Sequence, residues 1–167
     1  MKPIPVRQLT LAALVSAMYV VLGYFGNIFS LTFGPVQCRF AEALTVLPFL
    51  FPGTVWGLFA GCVITNLLSP YGPLDMIFGS LATLLAGCLT ARCKRRWVAT
   101  LPPVLCNAVI VSAVIAFQQV GFTAGFWTAF AFQAVSIGLG QMVACCGLGS
   151  LLLTLLPKTK LGKYCKK

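Results

Sequence analysis

The chain has 167 residues, of which 59% are hydrophobic and 8% charged, and its mean hydropathy is +0.97. This composition excludes an ordinary water-soluble domain, because 14 charged side chains cannot cover a core of this size, and it predicts an integral membrane protein. The formal net charge is +10. The basic residues lie between or beyond the apolar runs, which indicates membrane topology and argues against nucleic-acid binding.

The eight cysteines do not form a disulfide or metal pattern. No Cys-x-x-Cys pair occurs and the chain has no histidine. Most of the cysteines lie within or beside apolar segments, where cysteine behaves as a small hydrophobic residue. We therefore expect no metal site and no cofactor.

Six apolar segments follow one another along the chain. The first, after Lys2 and Arg7, is too long for the hydrophobic region of a typical cleavable signal peptide and is not followed by a clear cleavage site. The second is short for a membrane span, and the last is longer than one perpendicular span. The segments predict helices at 9–29, 36–51, 54–69, 75–91, 98–119 and 126–156.

Basic residues predict the orientation of these helices. They occur near the N-terminus, at Arg92–Arg96 and in the tail after Lys158. If all three groups are cytoplasmic, an even number of crossings must separate each pair. Six crossings, four and then two, satisfy this condition. The sequence thus predicts an all-α membrane protein, a six-transmembrane-helix bundle with both termini cytoplasmic.

Polar side chains are rare in this chain and are expected to meet at one place. Glu42 and Asp75 are the two acidic residues, and Arg39 precedes Glu42 by three positions. Under the predicted topology Arg39, Glu42, Asn66 and Asp75 lie near the external helix ends, and we expect them to line an outward-facing mouth. The deeper candidates for its floor are Asn107 and Gln133. The walls are predicted to be aromatic: Phe40, Trp56, Tyr71, Phe78 and Phe126.

A purely structural role is the alternative for these polar residues. Arg39 and Glu42 could pair only with each other, while Asn66 and Asp75 cap helix ends. An enzyme is disfavoured, because the chain has no histidine and no nucleophile beside a base. There is also no phosphate-binding loop of the ATPase type, so energy for active uptake would come from another subunit.

Small residues cluster on the first helix, where Ala12, Ala13, Ser16 and Ala17 are three and four positions apart. Such a pattern favours close helix packing. The contact could be with this chain's own helices or with a partner.

Three blocks of the sequence closely resemble the QueT family: Gln37–Pro48 (QCRFAEALTVLP), Gly57–Asn66 (GLFAGCVITN) and Leu74–Leu84 (LDMIFGSLATL). Members are substrate-binding S components of energy-coupling-factor (ECF) importers for queuosine precursors. The resemblance implies a six-helix bundle in a prokaryotic cytoplasmic membrane, docked on a transmembrane T subunit and two cytoplasmic ATPases. It also implies that Ala13 and Ala17 contact the T subunit and that the loop after the first helix helps to gate the site. The alternatives are an S component for another vitamin-like solute and a stand-alone secondary carrier.

The chemistry of a deazaguanine fits the polar candidates. Its ring N–H and exocyclic amine are donors that a carboxylate accepts as a pair, with Glu42 the first candidate and Asp75 the second. The ring carbonyl would accept a hydrogen bond from Arg39, Asn66 or Gln133.

Overall fold

The computed structural model describes residues 6–29, 39–67 and 69–159, and all the regular elements within these ranges are helical. Five are labelled α1 to α5, and a 3₁₀ helix lies between α1 and α2. The bounds are α1 Val6–Ile28, the 3₁₀ helix Phe40–Phe49, α2 Val55–Asn66, α3 Gly72–Arg92, α4 Arg96–Val120 and α5 Phe126–Lys158.

Four of the described helices are long and apolar enough to cross a membrane: α1, α3, α4 and α5, with 23, 21, 25 and 33 residues. The prediction of an all-α protein with membrane-spanning helices is therefore confirmed, and these four agree with the predicted segments within a few residues. The 3₁₀ helix and α2 have 10 and 12 residues, short of the roughly 20 that a full crossing needs. Six crossings and two cytoplasmic termini stay a prediction.

The 3₁₀ helix is the central element of the fold. Every residue from Ala41 to Pro48 is buried, which is typical of a helix that is apolar on all sides. It packs against α1, α3, α4 and α5. A 3₁₀ helix rises about 2.0 Å per residue against 1.5 Å for an α-helix, so ten residues extend about 20 Å into the bundle. The predicted second segment is short for a membrane span, and the larger rise per residue supplies part of the missing length.

Helices α1 and α2 approach each other closely through small residues. The buried residues of α1 recur every three or four positions: Ala12, Val15, Tyr19, Gly23 and Gly26. On α2, a Cβ atom added at Gly57 would overlap the carbonyl oxygen of Ala12, and one at Gly61 would lie 2.9 Å from the Ser16 carbonyl oxygen. Part of the small-residue face of α1 thus packs within the chain itself, while Ala13 and Ala17 are exposed.

Both C-terminal helices contain π-helical turns, Asn107–Val111 in α4 and Met142–Gly149 in α5. Such turns change the direction in which side chains project and are frequent at functional sites. The π turn of α5 lies against the 3₁₀ helix, where a Cβ at Gly149 would be 2.8 Å from Val46 Cγ1. Helix α5 is therefore long and continuous, with its irregular turn where it passes the central element.

Candidate functional site

The first part of the candidate site is an ion pair between Arg39 and Asp75. Arg39 directly precedes the 3₁₀ helix and Asp75 lies in the first turn of α3. Arg39 Nη2 is 3.5 Å from Asp75 Oδ2, and the side chains are only 7% and 1% exposed. Asp75 Oδ2 also accepts a hydrogen bond of 2.5 Å from Ser69 Oγ. Two of the predicted site residues, 36 positions apart, therefore meet at one end of the bundle.

The second part is the carboxyl group of Glu42, which is fully buried in the first turn of the 3₁₀ helix. Tyr19 of α1 donates a hydrogen bond of 2.5 Å to Glu42 Oε1. The side chains of Thr83 of α3 and Asn107 of α4 lie close enough to the same carboxyl group to interact with it as donors, although Asn107 Nδ2 and Glu42 Oε2 do not reach normal hydrogen-bond geometry. Glu42 is thus surrounded by polar groups from three helices.

Asn66 connects these two parts. Its amide nitrogen lies 3.4 Å from the Asp75 carbonyl oxygen and 3.5 Å from Cys62 Sγ. Thr83 Oγ1 donates to the same sulfur over 3.3 Å. Gly79 leaves room for the Asn66 side chain, because a Cβ atom added at Gly79 would lie 2.9 Å from the Asn66 amide nitrogen. A chain of polar contacts therefore runs from the Arg39–Asp75 pair towards Glu42.

Five buried polar side-chain atoms of the bundle, two of them on the ends of this chain of contacts, have no hydrogen bond of normal length among the described residues. They comprise two carboxylate oxygens, one amide nitrogen and two hydroxyls, each at least 98% buried: Glu42 Oε2, Asp75 Oδ1, Asn107 Nδ2, Ser80 Oγ and Ser112 Oγ. Folded proteins satisfy nearly all buried polar groups, because each one left alone costs about 1–3 kcal/mol. We refer to these five residues as the polar cluster, and its free acceptors and donors are chemically suited to a polar solute.

The outward-facing mouth that the sequence predicts is closed in this structure, since Arg39, Glu42, Asn66, Asp75 and Asn107 are all buried. The loop predicted to gate the site, residues 30–38, lies outside the described residues.

Gln133 occupies a different position from the other candidates. It is buried on α5, and its amide nitrogen lies 3.4 Å from Gln119 Oε1 of α4. Within the described ranges, no hydrogen bond joins Gln133 to the polar cluster. The role of Gln133 in the floor of the site stays a prediction.

The predicted aromatic walls are wrong in part. Trp56 and Phe78 are 64% and 44% exposed. Phe78 and Phe126 line an apolar groove of about 970 Å³ that opens between α3, α4 and the start of α5. These rings face outward because a membrane protein places apolar side chains against lipid as readily as against its core.

Sequence reasoning missed three residues of the site: Tyr19, Cys62 and Thr83. Each had a positional signal. Tyr19 is in the buried stripe of α1, Cys62 is four positions before Asn66, and Thr83 follows Asp75 by eight, on the same helix face. Among the described residues no group of three or more potential metal ligands comes together.

Comparisons with known proteins show the family to which the chain belongs. A family model described as the QueT transporter matches residues 9–158. The queuosine precursor transporter QueT of Lactococcus lactis subsp. cremoris (strain MG1363) is 32% identical over 84 residues, 50% of this chain and 49% of that protein. The aligned part thus spans about half the length of that curated relative. No solved structure matches the chain. Since the family match covers most of the sequence, the chain belongs to the QueT transporter family.

Proposed function

We propose that this chain is the substrate-binding S component of an ECF-type importer that captures a queuosine precursor from outside. It delivers this solute through a T subunit and two ATPase subunits in a prokaryotic cytoplasmic membrane. Support comes from the family match, from the similarity to the queuosine precursor transporter of Lactococcus lactis and from the four helices long enough to cross a membrane. The protein is a carrier subunit and not an enzyme.

The polar cluster is the observation that carries the proposal. The pyrimidine edge of a deazaguanine presents two N–H donor groups beside one carbonyl acceptor. Among the described residues, Glu42 Oε2 and Asp75 Oδ1 are acceptors without a hydrogen bond of normal length, and Asn107 Nδ2, which lies near the Glu42 carboxyl group, is a donor without one. The hydroxyls of Ser80 and Ser112 both donate and accept. The types of group in the polar cluster, acceptors and donors, are those that this edge requires.

The proposed orientation follows from the direction of the two short elements. Gly53, after the 3₁₀ helix, lies beside Gln8 near the start of α1, and α2 then runs parallel to α1 and brings Thr65 against Gly23. Helix α3 therefore begins near the end of the bundle where α1 ends. With the start of α1 in the cytoplasm, α3 begins outside and its Arg92 end lies in the cytoplasm. The Arg39–Asp75 end of the bundle then faces outward, where a solute to be imported arrives.

Energy for uptake comes from the partner subunits in this proposal. Asp75 is paired with Arg39, and Glu42 is bonded to Tyr19. The sequence has no phosphate-binding loop of the ATPase type, so ATP would be hydrolysed by the partner subunits. Reconstitution in liposomes tests this point: uptake requires the T subunit, the ATPases and ATP, whereas uptake by the chain alone would indicate a secondary carrier.

Binding calorimetry on the purified chain tests the ligand. The panel contains 7-deazaguanines with and without an aminomethyl arm, queuine and water-soluble vitamins. Glu42→Gln keeps an oxygen for Tyr19 but replaces the free acceptor by an amide donor. A hydrogen bond to a charged group contributes about 1.5–3 kcal/mol, so we expect affinity for deazaguanines to fall at least about tenfold. Ser112→Ala should weaken binding by a smaller factor.

The matched control is Ser150→Ala, which removes a hydroxyl whose hydrogen bond goes to the Gly147 carbonyl on an exposed part of α5. Its affinity should equal that of the unaltered chain. Unchanged binding in both Glu42→Gln and Ser112→Ala would remove the polar cluster from the ligand site. Tight binding of a vitamin in place of every deazaguanine would keep the S-component role and change its solute.

A further inference from the structure

The charges of this chain are strongly unbalanced and spatially separated. Twelve lysines and arginines face two acidic residues. Asp75 is paired with Arg39, and Glu42 is fully buried. Arg92, Lys94, Arg95 and Arg96 lie at or beyond the opposite end of α3 from Asp75, about 25 Å away along the helix. The two acidic side chains therefore cannot neutralise this basic end, and its counter-charge must come from another molecule.

A cleft lies at this basic end, between the first turns of α4 and the last turns of α5. Its volume is about 210 Å³, room for several water molecules at about 30 Å³ each. Helix α4 contributes Arg96, Trp97 and Thr100, and α5 contributes Ser150, Leu153 and Thr154. The cleft thus combines one guanidinium group with three hydroxyls between two helices that are long enough to span the membrane.

The surroundings of the cleft favour a lipid over a soluble anion. Trp97 is 80% exposed at its rim, and tryptophan concentrates where a membrane meets water. Further along α4 the exposed residues are apolar, with Leu101 and Leu105, and α5 likewise exposes Leu151 and Leu148. A charged cleft that continues into an apolar surface matches a phosphate headgroup followed by acyl chains.

The hydroxyls of the cleft present acceptor oxygens. Thr100 donates its hydrogen to the Trp97 carbonyl, Ser150 to the Gly147 carbonyl and Thr154 to the Ser150 carbonyl. Thr100 is buried and its oxygen already accepts from Cys146 Sγ, so the lone pairs that a ligand meets are those of Ser150 and Thr154. They accept from a ligand that carries O–H donors. A glycerol headgroup has such donors. A choline headgroup has no O–H group, and a bare phosphate monoester has fewer than glycerol.

We propose that this cleft binds an anionic phospholipid of the phosphatidylglycerol type. The Arg96 guanidinium holds the phosphate, and the headgroup hydroxyls donate to Ser150 and Thr154. Basic pockets between membrane-spanning helices are a known way to recognise anionic headgroups. The site is separate from the polar cluster and does not depend on the proposed solute.

Native mass spectrometry of the full chain in detergent tests the proposal by titration with phosphatidylglycerol, phosphatidic acid and phosphatidylcholine of equal acyl chains. We expect phosphatidylglycerol to bind most tightly. Arg96→Gln should weaken it by about fivefold or more, since one basic residue near lipid headgroups contributes about 1 kcal/mol. Thr154→Val should remove the preference for phosphatidylglycerol over phosphatidic acid. The control Arg92→Gln removes a neighbouring exposed charge outside the cleft and should leave the affinity unchanged.

Glycerol 3-phosphate is added as a competitor in a second titration, because it carries the headgroup chemistry without acyl chains. It should not displace the lipid. Equal losses in Arg96→Gln and Arg92→Gln would overturn the proposal in favour of diffuse electrostatic attraction. Displacement by glycerol 3-phosphate would overturn it in favour of a soluble anion. Thermal unfolding of the same samples in detergent verifies folding independently of the proposed solute, and deazaguanine calorimetry shows separately whether the proposed solute site is intact.

Discussion

The Glu42 side chain brings a carboxyl group into an interior that has few polar atoms. Burial of an ionisable group is costly unless partners compensate it, and removal of one partner usually costs more than the pair contributes. Here one oxygen of Glu42 is bonded to Tyr19 while the other has no partner among the described residues. A purely structural role for Glu42 explains the oxygen bonded to Tyr19 but not the second oxygen. This difference between the two oxygens favours a ligand role for Glu42.

Tyr19→Phe tests the support of Glu42. The variant keeps the ring in its buried position and removes only the hydroxyl that donates to Glu42 Oε1. A second carboxyl oxygen is then left without a partner, and we expect a loss of about 1–3 kcal/mol in the free energy of unfolding. Thermal unfolding in detergent and deazaguanine calorimetry measure the two consequences, a lower Tm and weaker binding.

Tyr24→Phe is the matched control on the same helix. Its hydroxyl lies 3.5 Å from the Ile64 carbonyl oxygen on an exposed part of α1, so its loss should change neither quantity. Equal effects of the two substitutions would show that the Tyr19 hydroxyl does not specifically support Glu42.

Among the elements, the contact between α1 and α2 depends most on side-chain size. Gly57 lies directly against the backbone of Ala12, where a methyl group would overlap the carbonyl oxygen. Gly57→Ala must therefore push the two helices apart. Overpacking of this kind costs about 1–3 kcal/mol, which we expect as a lower Tm in detergent. The shift also moves Tyr19 relative to Glu42, so solute affinity should fall with stability.

The control for this element is Gly147→Ala. An added Cβ at Gly147 meets nothing within 4 Å, and alanine favours a helix by up to about 1 kcal/mol over glycine. The Tm of this variant should stay the same or rise. A Gly57→Ala protein as stable as Gly147→Ala would mean that α1 and α2 do not approach as closely as described.

Sequence patterns predicted the long helices well and the short elements less well. Length and apolar composition alone define α1, α3, α4 and α5, so their bounds were predictable within a few residues. The 3₁₀ helix was not, because a segment that is apolar on every side has no stripe from which to determine a period of 3.0 or 3.6. Its Glu42 was singled out by charge, but Tyr19 as its partner is a tertiary contact across 23 positions.

At the scale of the whole molecule, the Arg39–Asp75 pair and the basic end lie at opposite ends of the bundle. Helix α3 shows this most clearly, with Asp75 in its first turn and Arg92 in its last. An acid near the N-terminus and a base near the C-terminus are both favoured by the helix dipole. The same distribution predicts the orientation of the chain across a membrane and separates Asp75 from the proposed lipid cleft.

The outer face of α1 is the surface where we expect partner subunits. Helix α1 is the least buried of the four candidate spans, with 28% of its most apolar 18 residues buried against 33–50% in the others. Ala13 and Ala17 are exposed on it, one turn apart, while Ala12 packs against α2. Two small exposed residues at this spacing allow another helix to approach closely.

Ala13→Trp and Ala17→Trp test this surface, because a large ring blocks close approach of a partner helix but is tolerated where α1 faces lipid. We expect unchanged deazaguanine affinity in the isolated chain, together with loss of co-purification with the T subunit and of ATP-driven uptake in liposomes. The matched control is Ala131→Trp, an equally exposed alanine on α5 that should retain both. If all three variants assemble and transport alike, the partner does not dock on α1. If all three fail, the added ring disturbs insertion and not a defined interface.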